Sequence, residues 1–310
     1  MVVQGALLVA TLAWAGYALA GQWGEFRTAA TAANIQWGWI ALASVIVLAT
    51  YAMLVQSWRM LLAGWGGKLR FGAAVRIWTI ANLGRYVPGK VWSIGALGVL
   101  ARREGVSGVA AAGAAILGTL LNIGAGIGIM ALSGARVLGV FKPWLQTIAV
   151  SMSVVFVLGT LALPVILPPV LARIAKWRGV PELTQHLPAS TIWFSTAINA
   201  ASWLGYGVAF AVFARGITPQ VTASPPLFVV IWTASYVGGY LALYAPGGLG
   251  VRDAALTTGL VALGLATIGD ATLLAVASRL WLTVLEILPG VVSLGIARLA
   301  AKSPSVHEDA

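Results

Sequence analysis

Six long stretches of this chain contain no Asp, Glu, Lys or Arg: residues 1–24, 28–58, 105–135, 143–172, 183–214 and 216–251. Each can hold the roughly 20 apolar residues that carry a helix across the hydrocarbon core of a bilayer. Inside that core every backbone N–H and C=O must find a partner within the protein, so helices become the spanning element. The rest of the chain does not offset this. Charged residues are 9 % of the whole and hydrophobic ones 60 %, whereas a soluble domain carries about a quarter charged residues. Thirty-seven Gly and fourteen Trp suit the small-residue packing and aromatic belts of membrane helix bundles. The expected class is an all-α polytopic membrane protein.

Full spans are expected at about 2–21, 37–57, 109–133, 145–167, 190–213 and 271–297, the last enclosing Arg279 and Glu286. Trp23, Trp37, Trp39 and Trp65 read as interfacial anchors. Gly124 and Gly128 form a GxxxG pair in the third span and read as a helix-packing face. Segments 71–104 and 227–269 are different. The first is broken by Pro88–Gly89 and the second by Pro246–Gly247–Gly248. Proline removes a backbone donor and clashes with the preceding turn, and broken backbone at membrane depth must be buried in protein or line a cavity. Both segments therefore read as re-entrant helical hairpins within one transmembrane domain, residues 1–301, followed by a polar cytoplasmic tail, 302–310.

The basic residues orient that domain. With the N-terminus inside, eleven of the nineteen Lys and Arg fall in inner loops and four in outer loops. This asymmetry places both termini in the cytoplasm of a cell-membrane protein. It also explains the net charge of +11 through an anionic membrane surface, and nucleic acid is not expected as a partner. The absence of cysteine excludes disulfides and thiolate chemistry. Two histidines are too few for a convincing His-based metal site or catalytic triad, and no cofactor is indicated. The run Gly84–Lys90 matches the start of a phosphate-binding loop, but Val91 stands where a magnesium-binding hydroxyl belongs. Ala18-Leu19-Ala20 mimics a signal-peptidase site without the basic region that should precede it; the N-terminal segment is expected to be retained.

Four cations remain at membrane depth: Arg85, Lys90, Arg252 and Arg279. Ionisable residues there are expensive and mark function by default. The two broken segments share a beginning, Trp78-Thr79 and Trp232-Thr233, and each leads to Pro-Gly. Three spans separate them, an odd number, so they enter from opposite faces. Inverted broken elements that meet near the midplane are a plan of secondary transporters. At each tip a half-helix begins, presenting its positive end to the centre. Pro88, Gly89 and Lys90 form one tip. Pro246, Gly247, Gly248 and Gly250 form the other, where bare amides can approach a ligand closely. Such a cavity suits a phosphate or another anionic group. Asp253 and Glu286 are the carboxylates available to balance charge or carry protons.

Gly84-Arg85-Tyr86-Val87-Pro88-Gly89-Lys90-Val91-Trp92, followed by Arg102-Arg103-Glu104-Gly105, resembles the first signature of the lysylphosphatidylglycerol synthase transmembrane, or flippase-like, family. Ala245-Pro246-Gly247-Gly248-Leu249-Gly250-Val251-Arg252-Asp253-Ala254 resembles the second, in which Glu is common at the position of Asp253. The resemblance extends over about residues 1–300. It implies movement of a lipid between leaflets, with Arg85, Lys90, Arg252 and Asp253 as carried-over positions. The tail after Ala301 has no room for the aminoacyltransferase of the best-known branch, so lipid aminoacylation by this chain is not expected.

The leading expectation is a lipid flippase, not an enzyme, that moves an anionic phospholipid or polyprenyl-phosphate-linked lipid by alternating access. Arg85, Lys90, Arg252 and Arg279 would bind the phosphate. The competing reading is a non-transporting lipid-binding scaffold for a partner synthase or glycosyltransferase. An intramembrane transferase using Asp253 or Glu286 lacks an accompanying nucleophile or metal-ligand set. Gly- and Ala-rich helix faces would allow a homodimer without requiring one.

Overall fold

The structure is a computed structural model that describes residues 23–86, 92–141, 143–178, 187–221, 224–242, 248 and 250–302. Helices and their connections make up the described residues, with no strand among them. A short helix α1 (Trp23–Ala32) precedes α2 (Trp37–Gly64). Then come α3 (Phe71–Asn82), a 3₁₀ turn at Leu83–Tyr86, α4 (Trp92–Arg103), α5 (Gly108–Phe141), α6 (Pro143–Arg178) and α7 (Ala189–Ile217). The chain continues through α8 (Pro225–Leu241), α9 (Val251–Ala262) and α10 (Ile268–Lys302). Five of these, α2, α5, α6, α7 and α10, are long and apolar enough to cross a membrane. They coincide with five of the six expected spans. The sixth, 2–21, lies outside the described residues, as do His186 and the tail from 303.

The two broken segments appear as helix–break–helix pairs, α3/α4 and α8/α9. The order "long helix, broken pair, long helix" occurs twice, as α2–α3/α4–α5 and as α7–α8/α9–α10. The leading helices of these two units run antiparallel. Gln36 N donates to Gly216 O at 2.9 Å near one end. Ser195 Oγ donates to the Ser57 carbonyl at 3.5 Å farther along, and Gly64 meets Leu187 near the other end. Small residues permit the approach: a Cβ on Gly205 would run into Thr50.

Each unit end has its own core. One cluster joins the first half of α2 (Ala43, Val47, Tyr51) to the second half of α7 and to α8, α9 and α10. The other joins the second half of α2 (Leu61, Leu62) to α3, α4, α5 and Ile192. Close packing of this kind is how membrane helices associate once lipid has removed the hydrophobic drive between them. Phe156 of α6 lies against Gly124 and Gly128 of α5, where a Cβ on Gly128 would overlap its ring. The GxxxG face is thus a packing face. Helix α6 is otherwise peripheral: Ala149 is buried, but Val155, Leu158 and Val165 face outward.

One aromatic expectation changes. Trp23, Trp37 and Trp39 are exposed, as anchors should be, but Trp65 is 8 % exposed and belongs to the second core. A turn through Gly66, at φ +82°, folds the chain back over the end of α2 and takes Trp65 inside.

Candidate functional site

The second broken pair is held shut by glycine. Gly239 on α8 and Gly248 before α9 bring the two arms into backbone contact: a Cβ on Gly248 would stand 3.0 Å from the Gly239 Cα. Gly248 and Gly250 take φ of +68° and +78°, a region that residues with a Cβ rarely enter. Helix α9 then starts with Gly250 as N-cap and Asp253 at the third helical position. Asp253 Oδ2 accepts from Gly250 N at 3.2 Å, which is the carboxylate half of a capping box. A Glu at this position would make the same contact. The other carboxylate oxygen, Oδ1, accepts from Arg279 Nε of α10 at 2.8 Å, and Arg279 Nη2 donates to the Gly248 carbonyl at 3.2 Å. Asp253 and Arg279 therefore fasten the tip of the pair to the last helix.

Arg252, their neighbour, is placed differently. Its residue is 4 % exposed. The guanidinium carbon lies 4.4 Å from the ring centroid of Tyr236 and 5.0 Å from that of Trp232. Each such contact is worth on the order of 1 kcal/mol. Trp232 in turn stacks on Phe210 at 4.6 Å, so the cage is rigid. Yet Nε and Nη2 of Arg252 are buried without a hydrogen-bond partner among the described residues. A charged donor left in that state costs more than a neutral one. The aromatic faces offset only part of this.

The first pair repeats the backbone device with other chemistry. Gly84 faces the second arm, where a Cβ would stand 3.0 Å from Ser93 N. The contacting positions, 84 with 93 and 239 with 248, have the same separation in both pairs. Thr79 Oγ1 donates to Ser293 Oγ of α10 at 3.0 Å, and Gly290 lets α10 come against the Thr79 carbonyl. Helix α10 is thus the common spine to which both broken pairs are tied.

Between the two cores lies a cavity of about 460 Å³, within the range of small-molecule sites. Both broken pairs reach it: Asn82 and Ser93 from the first, Gly239, Gly248 and Arg252 from the second. Arg279 and Glu286 line it from α10, as two residues two turns apart on one helix face must. Glu286 is 8 % exposed and accepts from Tyr51 Oη at 3.3 Å. The opposite wall is uncharged. Asn122 Nδ2 donates to Asn199 Oδ1 at 2.9 Å, and Asn199 Nδ2 donates to Ser57 Oγ at 2.9 Å and to the Ser195 carbonyl at 2.8 Å.

The sequence profile described as the lysylphosphatidylglycerol synthase TM region matches residues 1–290. The chain belongs to this family. No curated protein matches it. The match covers both broken pairs, the cavity walls and most of α10, so everything that forms the site is family sequence.

For this member of the lysylphosphatidylglycerol synthase transmembrane family, the structure brings together Arg252, Asp253, Arg279, Glu286, Gly248 and Gly250. Arg85 lies in the 3₁₀ turn at the first tip and is described by its backbone alone. Pro88, Gly89, Lys90, Pro246 and Gly247 lie outside the described residues. Two roles differ from expectation in detail. Asp253 and Arg279 bind each other, and the Gly250 amide is turned to Asp253 rather than left bare. Sequence reasoning missed the Trp232–Tyr236 cage and the Ser57–Asn122–Asn199 wall. Asn122 and Asn199 each sit in a long apolar span, and that isolation was the available signal. Among the described residues no group of three or more His, Cys, Asp or Glu forms a metal site.

Proposed function

We propose that this protein moves an anionic phospholipid or a polyprenyl-phosphate-linked lipid between leaflets by alternating access. The headgroup occupies the central cavity and the acyl or prenyl chains stay in the bilayer. The observation that carries this reading is Arg252: a caged, buried guanidinium on the cavity wall whose Nε and Nη2 have no partner among the described residues. A phosphate oxygen supplies the charge-assisted acceptors that this group lacks. The two units with antiparallel leading helices support the transport part, because rocking one inverted unit against the other opens a shared site to alternate faces. Arg85 and Lys90, from the first re-entrant tip, add positive charge as the lipid passes, and both termini face the cytoplasm. Arg279 positions Asp253 and the second tip. We assign the chain no catalytic step.

Reconstitution into vesicles with a fluorescent phosphatidylglycerol, read by dithionite quenching of the outer leaflet, tests this. Arg252→Gln should slow lipid movement by about ten- to a hundredfold, the value of a hydrogen bond to a charged group, while the variant elutes as folded protein. Movement at the wild-type rate in that variant would sink the assignment. Retained lipid with no movement in the wild type would instead favour a lipid-binding scaffold for a partner synthase or glycosyltransferase.

Asp253 is committed to Gly250 and Arg279, which leaves Glu286 to carry a proton if movement is coupled to a gradient. Glu286→Gln should then abolish the response to an imposed pH gradient. An unchanged response would remove Glu286 from the cycle.

A further inference from the structure

The uncharged wall of the cavity has hydrogen-bonding capacity that no described residue uses. Asn122 spends one N–H on Asn199. Its Oδ1 and its second N–H have no partner among the described residues. Asn82, on the first broken pair, lines the same cavity and makes no side-chain hydrogen bond among the described residues. Thr119, one turn before Asn122, donates back to the Ala115 carbonyl at 2.8 Å, which leaves its lone pairs toward the cavity that it lines. By contrast Asn199 has both N–H groups spent, on Ser57 and the Ser195 carbonyl, and its Oδ1 accepts from Asn122. It serves to aim Asn122.

An amide in a membrane-spanning helix is costly unless paired. A wall of amides and hydroxyls with spare donors and acceptors therefore points to a ligand that supplies both. A hydroxyl does so; an ammonium only donates, and an apolar group does neither. Charge argues the same way. Of the carboxylates, Glu286 lines the cavity and accepts from Tyr51, and Asp253 is paired with Arg279. A cationic headgroup would stand near the Arg252 and Arg279 guanidiniums with no carboxylate on the facing wall. The two walls are also mechanically joined. Tyr236, which cages Arg252, meets Trp203 edge-on at 6.0 Å. The Trp203 indole N–H donates to the Asn122 carbonyl at 2.8 Å. This chain of contacts links the Arg252 cage to the main chain that carries Asn122.

We infer that the cavity has a second, neutral subsite, formed by Asn82, Thr119 and Asn122, which reads a polyhydroxyl headgroup, a sugar or polyol attached to the phosphate. This rests on the anion-binding role of Arg252 and narrows its substrate to neutral, hydroxyl-rich headgroups over aminoacylated ones.

The test is native mass spectrometry of the purified full chain in mild detergent, with equimolar dioleoyl phosphatidylinositol, phosphatidylmethanol and lysylphosphatidylglycerol. Phosphatidylinositol and phosphatidylmethanol share a phosphodiester and differ in the polyol. We expect phosphatidylinositol to be retained about tenfold over each of the others, the value of one to two net hydrogen bonds. Asn122→Ala should bring its retention down to the phosphatidylmethanol level. Asn82→Leu should also lower it, and this second variant breaks no internal side-chain hydrogen bond among the described residues. Equal retention of all three lipids that Arg252→Gln abolishes would overturn the neutral subsite alone. Preference for lysylphosphatidylglycerol would overturn it as well. Retention that Arg252→Gln leaves unmoved would overturn the anion-binding reading together with the subsite.

Discussion

The two broken pairs both carry Trp-Thr at the eighth and ninth residues of their first helix, use a first-arm glycine to bring their arms together, and are tied to the same helix α10. Their fastenings differ. The second pair is held by Asp253 and Arg279, with side chains 25 % and 18 % exposed. It also carries Arg252 inside a cage of Trp232 and Tyr236. Among the described residues the first pair is held to α10 by neutral contacts, Thr79 to Ser293 and Gly290 against the Thr79 carbonyl. Its ion pair, Arg76 with Glu104, is over a third exposed on both sides. Among the described residues the second pair is therefore the electrostatically fixed half of the site, whereas the first is held by packing and neutral hydrogen bonds. In the alternating cycle proposed above, the first is the pair expected to shift.

That contrast can be broken or sharpened by substitution, with stability measured by unfolding in mixed micelles. The largest effect should come from Asp253→Asn. It removes the charge opposite Arg279 and weakens the helix cap, and should cost about 2–4 kcal/mol. Asp253→Glu should recover much of this, because Glu also completes a capping box; a loss as large as that of Asn would show that chain length matters more than charge.

Gly248→Ala comes next, at about 1–3 kcal/mol, since it adds a Cβ at positive φ against Gly239. Gly84→Ala meets only the crowding against Ser93 N and should cost less. The reverse order would mean that the first pair is the more rigid one. Thr79→Val should lower stability by about 1 kcal/mol through loss of the Ser293 contact. The smallest change should be Glu104→Gln, within about 1 kcal/mol, as for exposed ion pairs in general. A larger loss there would place a working clamp on the first pair and undo the distinction.

Much of this architecture could be read along the chain. Five expected spans became five long apolar helices because length and hydrophobicity are local properties and lipid enforces them residue by residue. The Pro-Gly breaks are only partly local: proline withholds an N–H, yet Pro164, Pro168 and Pro169 lie within α6 and Pro289 within α10, so proline alone does not end a helix. Arg252, Arg279 and Glu286 stood out as ionisable groups at membrane depth, where the cost of charge demands a reason.

What tertiary packing decided is what each of those groups faces. The sequence marks both Arg252 and Arg279 as intramembrane cations, yet one stands in an aromatic cage and the other clamps Asp253. That division follows from how α8, α9 and α10 pack: Arg252 meets Trp232 and Tyr236 of α8, and Arg279 of α10 meets Asp253. Trp65 looked like Trp37 and Trp39 until the turn at Gly66 carried it into a core. Asn122, Asn199 and Ser57 lie on three different helices, and a helix of period 3.6 presents every side chain to some direction. Only the antiparallel packing of α2 on α7, with α5 alongside, selects the direction and gathers the three onto one wall. The sequence determined which of the described helices are long and apolar enough to cross, and where the two broken pairs fall. The arrangement of those helices determined that the breaks share one cavity, and that it has a charged wall and a neutral one.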